Sequence, residues 1–357
     1  MLFIGAVIGL AGTFCLNGFA YAAEYFTHDG EHVRGYAARD GIEIVIDMEV
    51  PEYEETLPLF EYVYSNMNER KMLQALNGLV YQKMGQLQWQ TNYEKNADER
   101  VYDYFETNGQ GGGFLAYQAI DCLPYRNTED PKVVQAEEIL LKALEPLDLA
   151  IQYPFYFSGR RDDVIRHLFT DNQVSRAMES SVYKGDILGE TIPRAQATFI
   201  VVRFAVGEYT IEPNGWIYNP NSKPKRKGKY DYDKGGFIIA AIDDQGKIIH
   251  IRFYNPIQSV TMKADRVPCV SWETALENMC GWSLQHMPNG CVYKKLTVLQ
   301  MEICYAIGKN GNAYPVWRIS YEEIRRNQVP NTDRIVESLY SQSICADIVN
   351  GDVLDPE

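Results

Sequence analysis

The sequence predicts an α+β fold in which a few helices pack on antiparallel sheets. Apolar and polar residues alternate over residues 42–50, which is typical of a half-buried strand. Apolar residues recur at helical spacing over residues 132–147, which indicates an amphipathic helix. Strand-like stretches flank residues 309–312, where an Asn-Gly pair indicates a β-hairpin. These patterns together predict sheets of neighbouring strands with helices packed on them.

The composition indicates a globular protein with an acidic surface. The chain has 357 residues, 46% of them hydrophobic, and a formal net charge of −14. This length allows two domains with separate cores, or one large domain. Because binding to phosphates requires a basic surface, the charge argues against nucleic acid as a partner.

Up to residue 265 the chain reads as strands with a few interspersed helices. Predicted strands cover residues 33–50, 58–64, 114–120 and 151–157, and predicted helices cover residues 68–84, 132–147 and 162–178. Residues 195–204 are strongly apolar and β-branched, which indicates a central strand. Residues 237–242 and 247–254 flank a short turn and form a predicted hairpin.

The last part of the chain reads as one helix followed by three strands. The helix begins after Ser271, a residue type that caps helix N-termini. The strands cover residues 296–307, 314–321 and 343–349. A helix followed by antiparallel strands forms a compact unit. Trp317 lies in the second strand, so we expect it to be a core residue that packs on this helix rather than a binding aromatic.

The first residues of the chain predict export. Residues 2–20 carry no charged side chain, and the stretch ends in Ala20-Tyr21-Ala22, a pattern that signal peptidases cut. No lysine or arginine precedes it, unlike a standard export signal. A retained membrane anchor and a buried helix are the alternatives. We therefore expect an extracytoplasmic protein, secreted or membrane-anchored, with membrane contact through residues 1–22 if they are retained.

The cysteines leave two interpretations open. Six of them follow the predicted leader: Cys122, Cys269, Cys280, Cys291, Cys304 and Cys345. An even number in an exported protein permits disulfides, whereas buried free thiols are equally common structural residues. The chain has no CxxC pair, so the cysteines predict neither a thioredoxin motif nor a zinc ribbon.

Three short motifs after residue 265 follow the pattern of a known domain: Ser271-x-Glu273-x-Ala275 at a helix start, Pro315-x-Trp317 in a strand, and residues 345–354 in a closing hairpin. The unit resembles a PepSY-type domain and the C-terminal domain of YycI-like extracytoplasmic proteins of Gram-positive bacteria. The closing hairpin departs from the family pattern, because Ala346 precedes Asp347 and Asn350 replaces a threonine.

The resemblance implies a cystatin-like helix-on-sheet unit over residues 266–357, after an N-terminal α+β region over residues 23–265. It also implies a non-enzymatic protein of the bacterial cell envelope that inhibits a protease or modulates a sensor kinase. The resemblance assigns no catalytic residue to this chain, and no cofactor is predicted.

Two motifs offer weak chemical signals. His28 and His32 stand four residues apart, as in metal-binding helices, but Gly30 between them favours a loop, and no third ligand is identifiable. Ser181 and Lys184 match the Ser-x-x-Lys of penicillin-interacting enzymes, without the companion motifs of that class. The alternative function is therefore an envelope hydrolase acting on peptides or glycans, with Ser181 and Lys184, or a pair of carboxylates, as its candidates.

One basic cluster is a candidate partner surface. It consists of Lys223, Lys225, Arg226, Lys227 and Lys229, in a stretch rich in proline and glycine. Such a cluster attracts anionic cell-wall polymers or lipid headgroups. The plainer interpretation is the solvated tip of a long loop. The function predicted from the sequence is an exported binding or regulatory protein, whose partner is an envelope protein or an anionic polymer.

Overall fold

The structure is a computed structural model that describes residues 26–65, 67, 69–80, 85–88, 101–106, 119–120, 122–168, 196–213, 235–307, 311–329 and 332–354. The predicted leader, the Ser181 and Lys184 pair and the basic cluster of residues 223–229 lie outside these ranges. In the described part, no helix has the length and apolar character needed to cross a bilayer.

Strands make up most of the described structure. The strands are β1 Thr27–His28, β2 His32–Arg39, β3 Ile42–Glu49, β4 Thr56–Tyr64, β5 Gly85–Gln88, β6 Val101–Glu106, β7 Tyr125–Arg126, β8 Phe157–Arg160, β9 Ala197–Arg203, β10 Ala205–Val206, β11 Tyr209–Ile211, β12 Phe237–Asp243, β13 Ile248–Tyr254, β14 Ile257–Pro268, β15 Cys291–Ile307, β16 Asn312–Gln328 and β17 Ile335–Asp347. The helices are α1 Glu69–Ala75, α2 Pro131–Leu144, α3 Arg161–Leu168 and α4 Trp272–Ser283, with a 3-10 turn at Glu145–Leu147.

The strands form two sheets. The first has the order β1-β2-β3-β15-β16-β4-β14, with β17 beside β16 and the β10–β11 pair beside β15. The second has the order β5-β6-β13-β12-β9-β8-β7. The sheets are mixed, because β15 runs parallel to β3 and to β11, and β7 runs parallel to β8. The fold is therefore mainly β with some helices, which agrees in part with the predicted α+β class, but the sheets are mixed rather than antiparallel throughout.

The second sheet is buried on both faces at its centre. All seven residues of β9 are buried, which confirms the predicted central strand. Ile200 and Val202 pack in the core that also contains Leu140 of α2. Phe199 and Val201 face the other way, into a smaller core formed with α3. A strand covered on both faces reads as a continuous apolar stretch, because neither face meets water.

The last helix packs on the first sheet as the sequence predicts. The Ser271 hydroxyl caps α4 by accepting a hydrogen bond from the main-chain N–H of Thr274. Trp317 is fully buried in the main core, which confirms its predicted core position. Its Nε1 donates a hydrogen bond to the Val270 carbonyl, 3.0 Å away. The indole thus joins β16 to the start of α4.

Strands from both sides of residue 265 share the first sheet. The strand β14 runs across that position, and β3 and β4 from the N-terminal region pair with β15 and β16. Main-chain hydrogen bonds therefore join the regions 23–265 and 266–357.

Two local predictions differ from the structure. Residues 68–84 were expected to form one helix, but α1 ends at Ala75, and Val80 bridges to Ile248 of the second sheet. Residues 101–106 carried no predicted strand, yet they form β6 beside β13, with Tyr104 buried. In both places pairing with a distant strand decides the local conformation, because β structure depends on its neighbours more than on intrinsic preference.

We expect Trp317→Ala to lower the free energy of unfolding by about 3–5 kcal/mol, because it leaves a large cavity in a fully buried site. Chemical denaturation measures this change. Met262→Ala is the control, since Met262 is 65% exposed, and it should change stability by no more than about 0.5 kcal/mol. Equal stability of the two variants would contradict the stabilising role of Trp317 in the core.

Candidate functional site

Three adjacent strands place polar side chains on the face that points away from α4. Glu302 of β15 pairs directly with Arg318 of β16, and Arg318 pairs in turn with Cys345 of β17. Residues directly opposite each other in a sheet lie on one face. Their neighbours Ile303 and Trp317 point to the other face, into the main core. Most of this polar face is also buried: the Arg318 and Cys345 side chains are buried, whereas the Glu302 side chain is 26% exposed.

Two arginines and two glutamates form a largely buried charge cluster between the sheets. Arg203 is the last residue of β9, and Glu212 directly follows β11. Arg318 Nε lies 2.9 Å from Glu212 Oε2, and Arg318 Nη1 donates to Glu302 Oε1 at 2.9 Å. Arg203 Nη1 lies 3.9 Å from the same Glu302 oxygen. We call Arg203, Glu212, Glu302 and Arg318 the charge cluster; its formal charges balance.

Tyr156 holds the two arginines of the charge cluster in place. The guanidinium carbon of Arg203 lies 3.3 Å from the centre of the Tyr156 ring, which is a cation–π contact. The Tyr156 hydroxyl accepts a hydrogen bond from Arg318 Nη1 at 3.2 Å and donates one to the Cys122 carbonyl at 2.8 Å. Both arginine side chains are fully buried. This tyrosine therefore connects the cations of the two sheets.

The guanidinium of Arg318 stays charged in the core. Burial alone lowers the pKa of Arg318, but the neighbouring Tyr156, Glu212 and Glu302 outweigh this effect and raise it well above the ordinary value. Several N–H groups nevertheless have no hydrogen-bond acceptor among the described residues: Nε and Nη1 of Arg203 and Nε and Nη2 of Arg318. Arg318 Nε faces Glu212 at ion-pair distance without hydrogen-bond geometry.

Two thiols lie beside the charge cluster. Ligand atoms of Glu212, Cys304 and Cys345 lie within 4.8 Å of one another, and all three residues are buried. The Cys304 thiol donates to Glu212 Oε2 at 3.7 Å. Burial raises the pKa of Cys304 well above the ordinary value, so the thiol is a poor nucleophile. All six cysteines considered in the sequence analysis are free thiols.

A cleft of about 290 Å³ opens next to the charge cluster. Its aromatic lining comes from Tyr125, Phe155 and Tyr156, and its polar lining includes Gln152, Thr210 and Glu302. The Gln152 Oε1 and Thr210 Oγ1 atoms are buried and have no hydrogen-bond partner among the residues that the structure describes. Such atoms are costly unless something else bonds to them. The residues around the cleft therefore include a buried amide oxygen, a buried hydroxyl and a carboxylate beside aromatic rings.

The described lining of this cleft combines polar groups with aromatic rings. Polar groups placed among aromatic rings are a usual means of orienting a bound group.

The residues that form this site differ from those singled out in the sequence. The basic cluster and the Ser181 and Lys184 pair lie outside the described residues. His28 and His32 lie on the neighbouring strands β1 and β2, so the loop expected there is limited to the turn between them. Arg203 and Arg318 carried a signal that the sequence analysis missed, because each is a charged residue inside an otherwise apolar strand.

Comparison with known proteins shows a shared fold and no family. No family model and no curated protein matches this chain. The crystal structure of an uncharacterized protein from Eubacterium rectale ATCC 33656 is similar, with a TM-score of 0.50 and 11% sequence identity. The match covers 92% of this chain and 94% of that chain. At this identity the likeness concerns the fold alone, and it extends over nearly all of both chains.

We expect Arg318→Gln to destabilise the protein by about 3–5 kcal/mol, because it leaves the buried Glu212 without its counter-ion. Denaturant unfolding measures the loss. Arg326→Gln is the matched control, since Arg326 lies on the same strand but forms its ion pair with Glu337 at the surface. This control should leave the unfolding midpoint almost unchanged, because exposed ion pairs contribute little. Similar midpoints for the two variants would contradict a structural role for the charge cluster.

Proposed function

We propose that the protein is a non-enzymatic binding protein whose partner inserts a polar group into the cleft beside the charge cluster. One observation carries this proposal: Gln152 Oε1 and Thr210 Oγ1 are buried in the cleft without a partner among the described residues. A ligand that forms hydrogen bonds to these atoms removes the free-energy cost of leaving them buried without a partner. The aromatic rings provide apolar contact area around that polar contact.

The chemistry of the cleft favours a partner that carries hydrogen-bond donors. The Glu302 carboxylate lines the cleft, and it keeps one oxygen on Arg318. The Arg126 guanidinium, also in the lining, is neutralised by a two-point ion pair with Glu137. A protein segment with amide, hydroxyl or cationic groups suits this lining. An anionic cell-wall polymer suits it less, because Glu302 and a chain charge of −14 would repel it.

The location and regulatory role belong to the same proposal. Residues 1–22 have the composition of an export signal, and residues 266–357 resemble a PepSY-type domain. The order of α4 and the three strands β15, β16 and β17 is the order that this resemblance implies, which supports an α+β, cystatin-like unit here. We infer a protein of the bacterial cell envelope that modulates a protease or a sensor kinase by binding to it.

Crosslinking of the tagged protein on intact cells, followed by mass spectrometry, tests the binding function. One membrane sensor or protease should be recovered. Recovery of cell-wall fragments alone would contradict the proposed partner and favour a hydrolase or glycan binder. In that case Ser181→Ala, which removes the candidate nucleophile, should abolish release of fragments from purified cell wall.

Two variants test the cleft itself. Thr210→Val and Gln152→Leu each replace an unpartnered polar group by an apolar one of similar size. Each should weaken binding to the captured partner about 2-fold to 10-fold, since one hydrogen bond contributes about 0.5–1.5 kcal/mol. The melting temperature should stay the same or rise, because no hydrogen bond within the described structure is lost. Val349→Ala, at an exposed position, is the control. Unchanged affinity in both cleft variants would place the binding surface elsewhere.

A further inference from the structure

We propose that Glu212, Cys304 and Cys345 form a binding site for one divalent transition-metal ion such as Zn²⁺. Three separate parts of the chain bring these residues together, since Glu212 follows β11 and the cysteines lie on β15 and β17. Their ligand atoms already lie within 4.8 Å of one another, and all three residues are buried. This inference does not depend on the proposed function of the cleft.

One distance matches that of a tetrahedral thiolate site. The Cys304 sulfur and Glu212 Oε2 are 3.7 Å apart. Around a tetrahedral zinc ion, with bonds of about 2.3 Å to sulfur and about 2.0 Å to oxygen, these two ligand atoms stand roughly 3.5 Å apart. The Cys345 sulfur lies within 4.8 Å of both, so it has to approach an ion bound between them. Two thiolates and a carboxylate form a donor set that suits zinc better than magnesium or calcium.

A disulfide is a poor alternative use of this pair. Cys304 and Cys345 lie on β15 and β17, which flank β16 on its two sides. Strands are spaced about 4.8 Å apart, so the Cα atoms of such residues are separated by roughly 10 Å in a flat sheet. A disulfide needs a Cα separation below about 7 Å. A metal ion bridges the longer span, because each cysteine reaches it through its own side chain.

The two thiols compensate the charge of a bound ion. Two arginines and two glutamates balance one another while both thiols are protonated. When a divalent ion binds, each thiol releases its proton to solvent, and the two thiolates neutralise the two charges of the ion. The net charge of the buried site is therefore the same with and without metal. Arg318 also orients the Glu212 carboxylate from 2.9 Å, as outer-shell groups orient metal ligands.

Metal titration of the full-length, tag-free, reduced protein tests this site. One Zn²⁺ should bind per chain and raise the melting temperature. Co²⁺ should bind at the same site and give the charge-transfer absorption of a cobalt–thiolate bond. If no Zn²⁺ binds to the wild-type protein after removal of metal by a chelator and reduction, the proposal is wrong.

Cysteine variants locate the bound ion. Cys304→Ser and Cys345→Ser should each weaken or abolish the cobalt–thiolate absorption and the thermal shift. Cys280→Ser is the matched control, because Cys280 is a free thiol in α4, away from the three ligands, and both signals should persist. If Cys304→Ser fails to fold, Cys345→Ser decides the question by itself. A signal that survives in Cys345→Ser, or disappears in Cys280→Ser, would overturn the assignment.

Discussion

The buried charge cluster between the two sheets is the constraint on which the rest of the structure depends. Arg203 comes from the second sheet, whereas Glu302 and Arg318 come from the first. An isolated charge in a protein core costs several kcal/mol, so each of these groups needs its counter-ion in place. Separating the sheets would leave Arg203 without Glu302, whereas Arg318 would keep Glu212 and Glu302 from its own sheet. The apolar packing supplies most of the stability of the fold, and the charge cluster fixes how the two sheets face each other.

The same residues set the chemistry of the cleft and of the thiol pair. Glu302 holds Arg318 with one oxygen and lines the cleft, so a group bound there adjoins the charge cluster directly. Glu212 contacts Arg318 on one side and Cys304 on the other. A ligand in the cleft and a metal ion at the thiols would therefore both act on the junction of the sheets. Binding at either place should stabilise that junction, since both use groups that it already holds.

Local patterns predicted the elements, whereas long-range pairing decided the architecture. Residues 132–147 and the Ser271 helix were predictable because their spacing and capping residues are adjacent in sequence. The alternation in β3 likewise predicted its buried face. The parallel pairing of β3 with β15 joins residues far apart in the chain, and no local pattern encodes it. The site was missed for the same reason. Glu302 looks like a solvent-facing residue of a strand, and only the fold covers most of it. Arg318 was different, because its charge inside an apolar stretch was a local signal.

Native-state hydrogen exchange tests most directly whether the charge cluster couples the two sheets. The amides of β9 report on the second sheet, and those of β16 report on the first. Exchange is followed at increasing denaturant concentrations below the unfolding transition. Coupled sheets should open together. The most protected amides of both strands should then show the same free energy of opening, and this free energy should depend on denaturant concentration in the same way. Two separate opening reactions, with one sheet exchanging while the other stays protected, would contradict the coupling.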